Sequence, residues 1–445
     1  MFRATGHRAR AAVALLGLAA GCAAERPVAP ADRVFAPPPV AAPPAAASVV
    51  ADAAAEVDAG DGSAVFESRP LDRAALERLV ADARATGSDD LVLIKDDQLV
   101  GEWHFKGPRT PIQTMSLTKS VLSLLVGTLI DAGKLKLETP VAEFFSEWRT
   151  GEKQRITLFH LLSHSSGLEE GKTARAIYRS QSFVDFTLRS KLLFEPGTHY
   201  EYSNRAANLL SALIGKAAGM PTDRYAAKVL FTPLGIGRYE WEKDRAGNVQ
   251  GLAGLKLLPR DVAKLGELVL GQGSWRGQRV VSAAWIERST SVPVPVQPTN
   301  KRLALLWWMI PEWTKVRIDD GIVAAWREAG TDPEFLAKVA PLVGRSFDSV
   351  HDFVATLRTT FDDPKLVDWA AATYERGVPD ARFEFGPITG VYSAGTLGQY
   401  LVVVPRDRLV AVRMRRGPAS SDERDEVAKT FPDFVDRARG LVLAR

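Results

Sequence analysis

Ser116 and Lys119 are the residues of this sequence whose types and spacing are best suited to chemistry. They lie in the segment Thr-Met-Ser-Leu-Thr-Lys-Ser that begins at Thr114 and leads into an apolar run over 121–132. The run predicts a buried helix with Thr114 as its N-cap and Gly133 as its stop. Residues three apart share one face of a helix, so the serine and the lysine would be presented together.

This placement would make Ser116 a nucleophile and Lys119 its base. The positive end of the helix favours a developing alkoxide on the serine, and the serine's own N–H would point outward to bind an oxyanion. Burial near the same positive end disfavours a charged lysine, so we expect a lowered pKa that suits a base. Ser-x-x-Lys also arises by chance about once or twice in a chain of this length, so the assignment depends on the other motifs.

Two further groups of polar residues are candidates for functional sites. Tyr202 and Asn204 stand just before a predicted apolar helix over 206–218, in a loop where side chains can project into a cleft. By itself the Tyr-x-Asn pattern is also typical of a plain turn. His160 and His164 have the i, i+4 spacing of a zinc helix, but no glutamate follows His160 and no third ligand is evident. We therefore predict packed, hydrogen-bonded histidines, with no metal and no cofactor.

The N-terminal segment has the composition of an export signal. Basic residues precede the apolar stretch 11–20, which is too short to span a bilayer as a helix of the mature protein. The stretch ends in Leu-Ala-Ala-Gly-Cys, an imperfect lipobox, and Cys22 is the only cysteine of the chain. We expect 1–22 to be a lipoprotein-type signal peptide, with Cys22 lipidated and the protein facing the periplasm from a bacterial membrane. An ordinary secretory signal cut near 20–24 is the alternative.

The rest of the composition separates a tether from a globular part. Residues 23–69 are rich in proline and alanine and predict a disordered tether, whereas 70–445 has the pattern of a globular domain. The net charge of +4 is small and the basic residues are scattered, so nucleic acid is not indicated as a partner. No P-loop and no Gly-x-Gly-x-x-Gly motif follows a predicted strand, so no nucleotide cofactor is indicated.

The order of the predicted elements indicates an α+β fold. Strands occur at both ends of the globular part, with helices between them. This order predicts an antiparallel sheet in which the two ends of the chain meet, flanked by N- and C-terminal helices. The predicted strands are 91–94, 99–105, 303–310, 390–394, 399–404 and 409–414, and the terminal helices are about 71–83 and 422–441.

Residues 313–385 interrupt the strand pattern with helical periodicity. Apolar residues repeat at helical spacing in three groups, around Phe335, Phe353 and Trp369, and predict a helical subdomain. The insertion follows the predicted strand 303–310 and precedes the C-terminal strands, both of which should border a cleft. It would then form either a lid that narrows substrate choice or a packing appendage.

Four motifs occur together in a characteristic order. They read Met-Ser-Leu-Thr-Lys-Ser, His-Leu-Leu-Ser-His-Ser-Ser-Gly-Leu, Pro-Gly-Thr-His-Tyr-Glu-Tyr-Ser-Asn and Gly-Leu-Lys-Leu-Leu-Pro-Arg-Asp. They resemble the serine hydrolases of the class C β-lactamase and penicillin-binding-protein superfamily, nearest to family VIII esterases and 6-aminohexanoate-dimer hydrolases. The resemblance extends from about residue 88 to the end, apart from 313–385, and implies a β-lactamase/transpeptidase-like fold.

The resemblance also implies a role for each motif residue. Ser116 would attack a carbonyl and become acylated, while Lys119 and Tyr202 carry protons and Asn204 orients the lysine and the substrate. The N–H groups of Ser116 and of Thr396, at the end of an edge strand, would hold the oxyanion. Water would then hydrolyse the acyl-enzyme with Tyr202 as the base.

The third motif departs from the pattern of β-lactamases and transpeptidases. Their Lys-Thr-Gly begins with a lysine that grips a substrate carboxylate, whereas this chain has Ser393, Ala394 and Gly395. We therefore expect a serine hydrolase that acts on an ester or amide rather than tight recognition of β-lactams or D-Ala-D-Ala. The alternatives are a D-aminopeptidase, DD-carboxypeptidase or β-lactamase on cell-wall-type substrates, and a non-catalytic envelope binding protein that keeps the fold.

Overall fold

A computed structural model describes most of the predicted globular part. The predicted signal peptide, Cys22 and the predicted tether up to residue 68 lie outside the described residues. Within the described ranges, no helix is both long enough and apolar enough to cross a membrane. The described residues are 69–171, 174–297, 300–361, 369, 378–417, 431 and 433–442.

Helices and strands are both abundant, as the α+β prediction requires. The helices are α1 (Arg73–Ala85), α2 (Thr118–Asp131), α3 (Leu158–Leu162), α4 (Arg175–Arg179), α5 (Phe183–Leu188), α6 (Asn204–Ala218), α7 (Thr222–Ala226), α8 (Pro259–Leu270), α9 (Ala283–Thr290), α10 (Asp320–Glu328), α11 (Pro333–Val339), α12 (Val350–Thr360) and α13 (Phe434–Arg439). The strands are β1 (Asp90–Lys95), β2 (Gln98–His104), β3 (Ile112–Gln113), β4 (Tyr239–Trp241), β5 (Leu255–Leu257), β6 (Ser274–Trp275), β7 (Gln278–Arg279), β8 (Arg302–Leu303), β9 (Trp308–Pro311), β10 (Thr314–Arg317), β11 (Ser346–Phe347), β12 (Arg382–Phe385), β13 (Ile388–Gly395), β14 (Gln399–Val404) and β15 (Leu409–Met414).

A seven-stranded antiparallel sheet forms the centre of the fold, in the order β2-β1-β15-β14-β13-β9-β8. The N-terminal strand β1 pairs with the C-terminal strand β15, from Asp90 opposite Met414 to Lys95 opposite Leu409. The prediction that the two ends of the chain meet in one sheet is therefore confirmed.

Alternating side chains place a core on each face of this sheet. Along β14, Leu401 and Val403 face the main core, which contains α2, α6 and α8, while Val402 and Val404 face α1 and α13. Helix α8 lies directly on the sheet because Gly266 has no side chain there; a Cβ at that position would be 2.6 Å from Val410 Cγ1. The predicted flanking by terminal helices is confirmed, although 422–430 of the predicted last helix lies outside the described residues.

The prediction of one continuous strand over 303–310 is wrong, because this segment forms a hairpin of two strands. Strands β8 and β9 pair through Leu303 opposite Trp308, and the turn between them is closed by a hydrogen bond from Ala304 N to Trp307 O of 2.9 Å. Leu306 has a φ of 64°, which no strand residue adopts. A continuous apolar run hides such a turn, because each of its residues is buried in either conformation.

The insertion 313–385 differs from the prediction of a helical subdomain. Helices α10, α11 and α12 are present, but they pack with a three-stranded antiparallel sheet in the order β11-β10-β12. Its core is separate from the others and contains Val316, Trp326 and Phe353. These strands are too short to show the period of two that is typical of a strand, so only the helical spacing of the apolar residues was evident in the sequence.

Candidate active site

The nucleophile segment has a tighter geometry than the predicted helix. Ser116 lies on a 3₁₀ turn over Met115–Leu117, and the α-helix begins only at Thr118. Met115 has a φ of 52°, a conformation that costs a non-glycine residue free energy of order 1 kcal/mol. This strained residue immediately precedes Ser116, which lies two residues before the start of the α-helix.

Thr114 is the N-cap residue of the 3₁₀ turn rather than of the α-helix, and its side chain makes no capping hydrogen bond. Its hydroxyl instead donates to the carbonyl of Leu255 at 2.9 Å and lies 3.0 Å from Thr118 Oγ1. Its N–H also binds the carbonyl of Leu255, at 2.8 Å. Thr114 is thus tied to strand β5, and this tie anchors the segment before Ser116 to the neighbouring sheet.

Lys119 lies against the serine hydroxyl, inside the protein. Its Nζ is 3.0 Å from Ser116 Oγ and 2.7 Å from the carbonyl oxygen of Leu252, and only 3% of the residue is exposed. Nζ also lies 4.9 Å from the centroid of the Tyr202 ring. In its neutral form the amine can accept the serine proton across the 3.0 Å contact while the Leu252 carbonyl holds one of its N–H groups.

Tyr202 and Asn204 reach the site from the start of helix α6. The helix begins at Asn204 rather than at 206, and Ser203 caps it by accepting the N–H of Ala206 at 2.9 Å. Tyr202 therefore lies two residues before the helix, where its ring contacts Lys119 Nζ. Asn204 is buried in the first turn behind it, with 6% of its surface exposed.

His164 and Glu170 hold this part of the chain from behind. His164 Nδ1 accepts the N–H of Ser203 at 3.1 Å, and its ring centroid is 4.6 Å from that of Tyr202. Burial and then the charge of Lys119 lower the pKa of His164 to about 3, so it stays neutral at physiological pH. Glu170 accepts from Ser203 Oγ at 2.8 Å, and burial raises its pKa to about 7 against the effect of this hydrogen bond.

The two histidines of the zinc-like spacing do not share a helix face. Helix α3 ends at Leu162, and His164 follows it with a φ of 54°. His160 Nδ1 accepts the N–H of Thr157 at 3.1 Å, so both rings are hydrogen-bonded to backbone, which agrees with the predicted packing role. Across the ranges that the structure describes, no group of three or more His, Cys, Asp and Glu side chains is arranged to hold a metal ion.

The third motif meets the nucleophile at the end of strand β13. A Cβ at Gly395 would lie 2.5 Å from the carbonyl oxygen of Thr114 and 3.1 Å from Ser116 N. Only glycine allows this approach, and Thr396 is the next residue along the chain. An oxyanion hole from the N–H groups of Ser116 and Thr396 stays a prediction, and the contact at Gly395 supports it.

Strand β13 is an edge strand only where the motif lies. Its pairing with β9 runs from Ile388 to Tyr392 and stops opposite Trp308. Ser393, Ala394 and Gly395 extend beyond this pairing, so the prediction of an edge strand is wrong for the first half of β13 and correct for its end. Strand β9 therefore leaves one side of this end of β13 without a paired strand, where a substrate can align.

A small cleft opens over these residues. Ser116, Lys119, Tyr202, Ser393 and Ala394 line it, whereas Asn204, Gly395 and Thr396 are not part of its lining. The cleft is mainly apolar and hydroxylic, and Lys119 is the one Lys or Arg in its lining. The other lining residues are Ser120, His164, Leu303, Leu306 and Trp308.

Ser120 is a site residue that the sequence reasoning missed. Its hydroxyl donates to the carbonyl of Leu306 at 2.7 Å and lies 2.7 Å from Ser393 Oγ. It thereby links helix α2 to both β13 and the turn before β9. Its position four residues after Ser116 was a usable signal, because i and i+4 share a helix face.

Comparisons with known proteins agree with this geometry. A family model described as Beta-lactamase matches residues 74–430. Esterase EstB of Burkholderia gladioli is 30% identical over 149 residues, which cover 28% of this chain and 37% of the esterase. The 6-aminohexanoate-dimer hydrolase of Paenarthrobacter ureafaciens is 22% identical over 222 residues, which cover 45% of this chain and 57% of the hydrolase.

A solved structure of a class C β-lactamase has the same fold. It matches with a TM-score of 0.55 and 13% identity, over 84% of this chain and 97% of that one. The curated relatives are matched over 37% and 57% of their own length, whereas the family model covers most of the present chain. The chain therefore belongs to the Beta-lactamase family, a family of serine hydrolases that includes esterase and amidase types.

Proposed function

We propose that this protein is a serine hydrolase that forms an acyl-enzyme on Ser116 and cleaves an ester or amide bond. The observation that carries the proposal is the 3.0 Å contact between Lys119 Nζ and Ser116 Oγ in a buried site that opens into a cleft. A buried lysine whose amine touches a serine hydroxyl serves as a base for that serine. A binding protein that merely kept the fold would have no need of this pair.

In the first half of the reaction, Ser116 Oγ forms a bond to the substrate carbonyl carbon while its proton moves to Lys119. The negative charge on the carbonyl oxygen would be held by the N–H groups of Ser116 and Thr396. Collapse of this intermediate breaks the bond to the alcohol or amine, which leaves with a proton delivered through Lys119 and Tyr202. Asn204, which does not line the cleft, would orient the lysine.

In the second half, water replaces the leaving group. Tyr202, whose own proton passes to the neutral amine of Lys119, would take a proton from the water, the water oxygen forms a bond to the acyl carbon, and the bond to Ser116 Oγ breaks. The serine recovers its proton from Lys119 or Tyr202. His164 is given no role in proton transfer. Its lowered pKa keeps it neutral, and its Nδ1 already accepts the N–H of Ser203.

The cleft favours uncharged acyl groups. Ser393 stands where β-lactamases carry a lysine, and the lining residues Leu303, Leu306 and Trp308 add apolar surface. Relatives of this chain include an esterase and a 6-aminohexanoate-dimer hydrolase by name. We therefore propose short esters or uncharged amides as the substrate class, ahead of β-lactams and D-Ala-D-Ala peptides.

A serine-reactive fluorophosphonate is the direct test of the acyl-enzyme. We expect the probe to label Ser116, as peptide mass spectrometry would identify, and Ser116→Ala to abolish labelling. Purified protein should then hydrolyse p-nitrophenyl butyrate in a screen that compares esters, short amides and β-lactams. An intact, folded protein that neither reacts with the probe nor hydrolyses any member of the panel would favour the non-catalytic alternative.

We also propose that the protein is anchored to a membrane through a lipid on Cys22. The proposal rests on the apolar stretch 11–20 and on the single cysteine that follows it. The expected result is recovery of the bacterial protein with membranes, and release or mislocalisation of Cys22→Ala. Recovery of the wild type in the soluble periplasmic fraction would contradict the anchor and leave the ordinary secretory signal.

The insertion 313–385 is the third feature with a predicted role. It leaves the sheet after Pro311 and returns at Ile388, at the end of β13 opposite to Gly395, a separation of roughly 20 Å along the strand. To act as the predicted lid it would have to reach back over the cleft. Hydrogen exchange with a covalent inhibitor on Ser116 decides this. The lid predicts slower exchange within 313–385, and no change there would favour the packing appendage.

A further inference from the structure

The guanidinium of Arg413 is completely buried inside the protein, near the C-terminal end of strand β15. None of its surface is exposed. Its Nε donates to Ser88 Oγ at 2.7 Å, and its Nη1 donates to the carbonyl oxygens of Gly398 at 2.7 Å and Leu397 at 3.4 Å. Nη2 donates to the carbonyl of Thr86 at 3.2 Å. All of its acceptors are therefore neutral.

A buried charge without a counter-ion is costly, so it calls for a reason. Within the described part of the chain no ion pair includes Arg413, and the nearby carboxylate of Asp89 is paired with Arg416 at 2.9 Å. Burial lowers the pKa of Arg413 to about 10, so it remains charged at neutral pH. An apolar side chain of similar volume would fill the same space without a desolvation penalty. Packing alone does not explain this residue.

The guanidinium holds the turn that joins β13 to β14. A hydrogen bond from Gly398 N to Gly395 O closes this turn at 3.2 Å, and Thr396 and Leu397 lie within it. Leu397 has a φ of 76°, a region that L side chains rarely adopt, and Gly398 has a φ of 80°. Two of the three backbone carbonyls that Arg413 binds belong to these two residues, and the third is that of Thr86.

The contact is tight from both sides. A Cβ at Gly398 would lie 2.0 Å from Arg413 Nη1, so the guanidinium lies directly against the turn. At the other end of the turn, Gly395 is the residue in close approach to Ser116 N. The turn is thus fixed between the guanidinium and the nucleophile segment.

We propose that Arg413 is a positioning residue that fixes this turn and so aims the N–H of Thr396 at the carbonyl oxygen of the substrate. The inference rests on the proposed acyl-enzyme chemistry of Ser116. The hydrogen bonds of Arg413 hold the unfavourable backbone of Leu397 and define the direction of the neighbouring peptide unit. An oxyanion-hole donor must be held to within a fraction of an ångström to stabilise the transition state.

Arg413→Met tests the proposal, because methionine keeps much of the side-chain length and loses every donor. We expect kcat for p-nitrophenyl butyrate, per site titrated with the fluorophosphonate, to fall roughly 10- to 100-fold, while KM changes less than about threefold. The affinity for a boronic acid, whose tetrahedral adduct on Ser116 carries a negative charge in the oxyanion hole, should fall by the same factor. Arg413→Lys should give a smaller loss of the same kind, since an ammonium lacks the planar fork.

Leu79→Ala is the matched control for stability. Leu79 is buried on helix α1, in the core on the side of α13, and its truncation lowers stability at a position outside the turn 395–398. We expect Leu79→Ala to have the wild-type kcat per titrated site and the wild-type affinity for the boronic acid. If Arg413→Met does not fold, Arg413→Lys decides by the same two measurements. Wild-type values in the folded arginine variant would overturn the inference, whereas a wild-type protein that the probe does not label would overturn the proposed function instead.

Discussion

Ser116→Ala is expected to lower kcat by roughly 10³- to 10⁶-fold, and Lys119→Ala by a comparable factor. The serine supplies the atom that is acylated, and the lysine amine at 3.0 Å is the group that takes its proton. Because the two act as one unit, the double variant should be little worse than either single variant. Steady-state kinetics on p-nitrophenyl butyrate measure all three values.

The folded state should survive these changes, with a difference between the two variants. Ser116→Ala removes one hydroxyl, whereas Lys119→Ala also leaves the buried carbonyl of Leu252 without a donor, which costs about 1–3 kcal/mol of stability. Ser123→Ala is the matched control, a buried serine of the same helix that does not line the cleft. It should keep wild-type kcat. Unchanged turnover in Ser116→Ala would end the acyl-enzyme proposal.

Two elements that the sequence predicted correctly have local signals. The β1–β2 hairpin follows from two apolar runs around a polar tetrapeptide, and Asp96 and Asp97 turn it with φ values of 52° and 60°. Helix α1 follows from the helical spacing of its apolar residues, among which Leu79 and Ala83 are buried, and from Asp72, which caps it. In each case neighbouring residues carry the whole signal.

The features that the sequence did not predict depend on partners far along the chain. Thr114 has the residue type of a helix cap, but its hydroxyl donates to the carbonyl of Leu255, which lies 141 residues later in the chain. The β8–β9 turn and the small sheet of the insertion arise from pairings of strands as short as two residues, which are too short to show a period.

The candidate site divides in the same way. Ser116, Lys119 and Tyr202 were predicted together because motif order identified them, and the cleft brings all three together. The contact between Ser120 and Ser393 spans 273 positions, and that between Arg413 and Ser88 spans 325. Helix and strand spacing patterns relate residues only a few positions apart, so they cannot predict these contacts. Supporting contacts of this kind become visible only in the folded structure.

Ser393→Lys is expected to shift the enzyme from neutral towards anionic substrates. A lysine that meets a substrate carboxylate in a sheltered cleft makes a charge-assisted hydrogen bond of about 1.5–3 kcal/mol, a factor of roughly 10 to 100 in kcat/KM. Ser393 offers only a neutral hydroxyl, which already lies 2.7 Å from Ser120 Oγ. The wild type should therefore hydrolyse p-nitrophenyl butyrate appreciably and nitrocefin weakly or not at all.

The measured quantity is the ratio of kcat/KM for nitrocefin to that for p-nitrophenyl butyrate. Ser393→Lys should raise it by roughly 10- to 100-fold. Ser393→Met is the control, because it matches the lysine in length without its charge, and it should leave the ratio low. An equal rise in both variants would assign the effect to shape rather than charge. Added salt should weaken the gain of the lysine variant to the extent that the cleft admits water. A wild-type kcat/KM for nitrocefin at or above that for the ester would contradict the argument, since a site without a cation would then already accept the carboxylate.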